Sequence, residues 1–147
     1  MFKNLVNLFN RDNLYQQALH KSHDMLDMDL TMYDASIQSL RQSDNAEINI
    51  DIYKMDKELN SFERDVRQKV MTHLAISGGA DLTAGLILVS VVIDIERIGD
   101  YTKDIYTLAS KHPARLNAGS LEERLQDIEK RVGHDFREMI GAFKTSD

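Results

Sequence analysis

Apolar residues recur at steps of three and four along most of this chain, the period of an amphipathic helix. The spacing predicts a first helix from about Asn13 to Leu40, with Leu26, Leu30, Tyr33, Ile37 and Leu40 on one stripe. A second runs from about Ala46 to Leu74, where Ile48, Ile52, Met55, Leu59, Phe62, Val66 and Val70 line one side. Ser77, Gly78, Gly79 and Ala80 then interrupt the pattern, and Asp81 is placed to cap a third helix from Leu82 to about Ser110. Its opening run, LTAGLILVSVVI, is the most apolar in the chain. It is too short to span a bilayer, which takes about 20 apolar residues, and so predicts a buried core helix.

His112, Pro113 and the stretch from Asn117 to Gly119 make the next break. Ser120 and Glu123 have the spacing of a capping box ahead of a fourth helix that ends near Phe143. Its stripe is Leu121, Leu125, Ile128, Val132, Phe136, Met139 or Ile140, and Phe143. The β-branched cluster from Val89 to Ile95 lies inside the third helix, so no strand is expected. The predicted class is all-α, an antiparallel bundle of long helices.

Sliding the fourth helix by 103 positions lays Asp24 on Asp127, Tyr33 on Phe136, Ile37 on Ile140, Leu40 on Phe143 and Ser43-Asp44 on Ser146-Asp147. Read as a repeat, residues 120–147 open a second copy of the unit that begins at residue 13. Residues 1–12 form a separate N-terminal segment without the layout of a secretory signal. Its Phe2, Leu5, Val6 and Phe9 suit a short helix docked on the domain, with contact to a membrane surface as the other reading.

Composition narrows the chemistry. The formal charge of −6 over 147 residues argues against a nucleic-acid partner, which calls for a basic surface. There is no cysteine, which removes disulfides, thiolate metal sites and thiol nucleophiles and suits a cytoplasmic location. The sequence has no phosphate-cradling Gly-x4-Gly-Lys-Ser/Thr loop, no His-Glu-x-x-His and no Gly-x-Ser-x-Gly. No histidine follows a glutamate by three positions, as a carboxylate-bridged di-iron bundle would need. A non-enzymatic protein is expected.

What remains are carboxylates beside the core stripes. On the third helix Glu96, Asp100 and Asp104 fall four apart; on the second, Asp56, Asn60 and Glu63 run one position behind the apolar line and lead to Arg67. Like charges at that spacing repel, and near a core they need a cation. Two readings are open: a salt-bridged face neutralised by Arg64, Arg67 or Arg97, or oxygen ligands for a hard or borderline metal ion. The cluster His20, His23, Asp24 and Asp27 reads as a polar flank, and SGGAD before the third helix as a loop with a cap.

These residues resemble the PhoU family, helical regulators of bacterial phosphate uptake. The likeness is strongest in VIDIERIGDYTKDI, residues 92 to 105. It implies a three-helix unit over residues 13–112, followed at 120–147 by the first helix of a second unit. It also implies a metal site, for iron, Mn, Mg or Zn, at a Glu/Asp-x3-Asp motif on two neighbouring helices. Glu96 and Asp100 fit that motif; Asp56 and Asn60 are the counterpart, with Asn60 removing one charge, while Glu63 and Asp104 could add a ligand or a salt bridge. The partners implied are a phosphate transporter or its sensor kinase. The unaccompanied fourth helix predicts a homodimer, with fold-back into a compact monomer as the other outcome. A scaffolding domain whose acid stripes are only ion pairs is the rival function.

Overall fold

The computed structural model describes residues 11–77, 81–112 and 114–145. The expected N-terminal docking helix, the glycines of SGGAD and the Ser146-Asp147 end of the repeat lie outside the described residues. Four helices follow in order: α1 Arg11–Gln42, α2 Ile52–Ser77, α3 Leu82–Lys111 and, after a 3-10 turn at Gly119–Leu121, α4 Glu122–Thr145. Among the described residues there is no strand, and the all-α class stands.

The first three helices run up, down and up, and their contact pairs fix the register. Lys21 of α1 lies 4.0 Å over the Phe62 ring of α2. Leu59 and Leu74 of α2 pack against Gly99 and Gly85 of α3. The core is centred on α1, where Ala18, Ser22, Met25, Asp29, Met32, Ser36 and Ser39 are all buried. Those positions alternate steps of four and three, the seam of a helix facing partners on both sides. Leu26, Tyr33 and Leu40 are buried as expected, so α1 is covered around much of its circumference.

Local chemistry moves two helix starts and removes one expected cap. The predicted start of α2 at Ala46 fails because Asn45 and Ala46 take positive φ of 74° and 54°. Ser43 Oγ meanwhile accepts the Glu47 N–H at 2.9 Å. The helix starts only where Asp51 Oδ1 accepts the Lys54 N–H at 3.0 Å, an N-cap bond. Asp81 precedes α3 but makes no cap bond; its carboxylate pairs with Nε2 of buried His73 at 2.9 Å. At α4, Ser120 lies within the 3-10 turn, and Glu122 Oε2 accepts the Ala118 N–H at 2.8 Å in place of the expected capping box.

Two apolar faces also differ from expectation. The opening of α3 is not a fully buried helix: Gly85, Leu88, Val92 and Ile95 face inward, while Leu82, Leu86 and Ile87 are half exposed. The fourth helix takes the fold-back course and lies antiparallel along α1. Phe136 and Ile140 are buried there, and the Phe136 ring meets Tyr33 edge-on at 5.9 Å. Positions equated by the 103-residue slide thus touch each other. The α4 stripe splits as a result, because Leu121, Ile128 and Val132 remain exposed.

Candidate functional site

The acid stripes of α2 and α3 meet. Antiparallel packing brings Asp56 of α2 opposite the α3 turn that carries Asp100 and Lys103. The Lys103 ammonium donates to Asp56 Oδ1 at 2.7 Å and to Asp100 Oδ1 at 2.6 Å, bridging the two helices. Asp56 is the more covered carboxylate, with its side chain 15% exposed against 45% for Asp100.

The other candidates contribute unequally. Glu96 is partly buried beside this pair. Burial first, then the charges of Asp100, Glu63 and Asp56, raise its pKa, with Lys103 pulling the other way. Glu63 accepts from Arg67 at 2.8 Å. Asn60 turns its amide back along its own helix, donating to the Asp56 carbonyl at 3.0 Å. Asp104, one turn beyond Asp100, is exposed. Of the expected arginines, Arg67 holds Glu63, whereas Arg97 pairs with Asp94 in solvent.

Two residues of the site were not anticipated. Lys103 is the cation of the face; burial lowers its pKa, but the hydrogen bonds it donates to Asp100 and Asp56, with their charges, outweigh that and raise it. Its only sequence signal was a lysine three positions beyond Asp100, close enough on a helix to fold back over the acid stripe. Asp29 of α1 lies behind α3 with no exposed surface, and neither carboxylate oxygen has a hydrogen-bond partner. Burial, then the charge of Glu96, push its pKa up to about 8, so it is a neutral acid at pH 7. A buried Asp leaves no periodic trace, since the pattern counts it as polar.

A family profile described as PhoU domain matches residues 23–109. The chain belongs to the PhoU family. The match spans most of α1, all of α2 and nearly all of α3, with the acid face inside it. No curated protein and no solved structure matches the chain.

The metal site that PhoU membership suggests can be set against the donor set present. A multi-carboxylate site needs several oxygens converging on one point. Among the described residues no group of three or more His, Asp or Glu is placed to hold a metal ion. Lys103 occupies the position between Asp56 and Asp100, and Asn60 points away from it. Asp29, whose carboxylate oxygens have no partner, is buried on α1 against Gly99 and belongs to neither stripe. In this PhoU domain the residues, as arranged, do not fit a metal ion.

Proposed function

We propose that this chain is a cytoplasmic PhoU-like regulator of phosphate uptake that works by contact with a phosphate transporter or its sensor kinase, without turnover. The observation that carries the reading is the PhoU domain match over residues 23–109, most of the three-helix core. Action by contact is supported by surface character: among the described residues Leu82, Leu86 and Ile87 present an apolar row on α3. No helix among them is long and apolar enough to cross a membrane. The test is phosphate uptake in cells of the source organism with the coding region deleted and then restored. Uptake under phosphate sufficiency is expected to change on deletion and to recover with the intact chain. Unchanged uptake and unchanged phosphate-starvation signalling would sink it.

The scaffolding reading draws on the Lys103 bridge, which makes the acid stripes an ion-paired joint. It differs in predicting no response to phosphate supply. Self-association remains part of the proposal but shifts its surface, since Phe136 is spent within the chain. Antiparallel pairing of two α4 helices about a two-fold axis would set Leu121 against Met139 and Ile128 against Val132. The same register brings Arg124 beside Glu138 of the other copy, an opposite-charge flank.

A further inference from the structure

We propose that Lys103 takes the place of a metal ion in this PhoU domain, so that the acid face is closed by a cation belonging to the chain itself. The proposal rests on family membership and on geometry, and it stands whether or not the regulatory reading above holds.

Three features converge on it. The ammonium is seated between carboxylates of two helices, at 2.7 Å from Asp56 and 2.6 Å from Asp100, both within charge-assisted hydrogen-bond range. The acid groups around it far outnumber cations: Asp56, Glu96 and Asp100 share Lys103, while Arg67 is committed to Glu63. Finally, the charges a metal would require have been reduced elsewhere. Asn60 is neutral and turns its amide back to the Asp56 carbonyl. The ammonium, on its flexible stem, reaches carboxylates of both helices; a divalent ion would have to displace it.

The exchange can be forced. Lys103→Met removes the ammonium and keeps an unbranched apolar stem, leaving Asp56, Glu96 and Asp100 without their shared cation. Metal content by mass spectrometry and melting temperature with added Mn²⁺ would be compared for wild type and Lys103→Met, both purified without a histidine tag. Wild type should carry no stoichiometric metal and should not respond to millimolar Mn²⁺. Lys103→Met should melt lower and recover about 3–6 °C with Mn²⁺, since a ligand bound only by the folded state stabilises it. Adding Asp100→Ala to that variant should abolish the recovery. If Lys103→Met does not fold, Lys103→Gln replaces it, and Mn²⁺ should restore its helicity. Stoichiometric metal in wild type would overturn the proposal. So would a folded Lys103→Met that ignores Mn²⁺, a recovery surviving Asp100→Ala, or both variants staying unfolded with the ion present.

Discussion

The Asp29 carboxyl lies against α3 at Gly99, where an added Cβ would stand 2.8 Å from Asp29 Oδ1. Glycine makes room there for a buried acid that has no hydrogen-bond partner, and burial with the Glu96 charge holds its pKa up at about 8. In the unfolded chain the same group titrates near about 3.9. Between those values the folded state binds a proton that the unfolded state has released. The stability this contributes is therefore full below about pH 4 and lost as pH rises toward 8. Asp29→Asn should flatten that decline and stabilise the protein by about 1–3 kcal/mol at pH 8.5, where wild type buries an unpaired charge. Urea unfolding at pH 5.5 and 8.5 measures the difference; equal slopes in variant and wild type would refute the assignment.

Two glycines in helices should respond to alanine with opposite signs. At Gly99 the new methyl would approach Leu59 Cδ1 to 2.6 Å, and both Leu59 and Asp29 are locked in the core. Overpacking of this kind costs about 1–3 kcal/mol, more than the roughly 1 kcal/mol that helix propensity returns. Gly141, on α4, has nothing within 4 Å of an added Cβ. Gly141→Ala should therefore stabilise by about 0.5–1 kcal/mol. Thermal melts of the two variants read both signs directly.

Arg41 ties the end of α1 to α4. Its Nε donates to both oxygens of Glu129 at 2.9 and 3.0 Å, and Nη1 donates to the Leu116 carbonyl at 2.9 Å. With its side chain only 13% exposed, the fork is largely held from solvent. Arg41→Ala should cost about 1–3 kcal/mol, the range for hydrogen bonds to a charged group. Arg41→Lys should recover little of it, because an ammonium cannot reproduce the planar fork. Full recovery by lysine in urea unfolding would show that charge alone matters.

The divided stripe of α4 separates folding from association. Phe136→Glu buries a charge against Tyr33 and should destabilise the chain by about 3 kcal/mol or more. Val132→Glu, on the exposed half, should leave stability within about 0.5 kcal/mol. Light scattering at micromolar concentration should give a dimer mass for wild type that drops to the monomer with Val132→Glu. A monomer mass for wild type would leave α4 as an intramolecular element only.

The helices were legible because each buries a stripe of large apolar side chains, and on α2 Ile52, Leu59, Val66 and Val70 all occupy the inward positions the period assigns. The second seam of α1 was not. Four of its seven positions are Ser22, Asp29, Ser36 and Ser39, so hydropathy sees a polar face where packing makes a core. Ile48 misled in the opposite direction: it keeps the α2 period but packs on the core from a loop held by side-chain bonds. At the site, the meeting of the Asp56 and Asp100 stripes was readable from spacing and antiparallel order. The identity of the cation was not, since a long lysine on α3 reaches across helices by a route that no single-helix pattern records.

Because α4 is fastened chiefly to α1, its opening need not disturb the α1–α3 seams. Amide hydrogens of α4 should then exchange through a local detachment, at a free energy below that of global unfolding. Those of α1, enclosed by the other helices, should exchange only when the whole domain comes apart. The molecule would thus carry two cooperative layers, an enduring three-helix body and an outer helix that comes and goes within its native lifetime. Hydrogen–deuterium exchange read by mass spectrometry would resolve them as two separate protection plateaus.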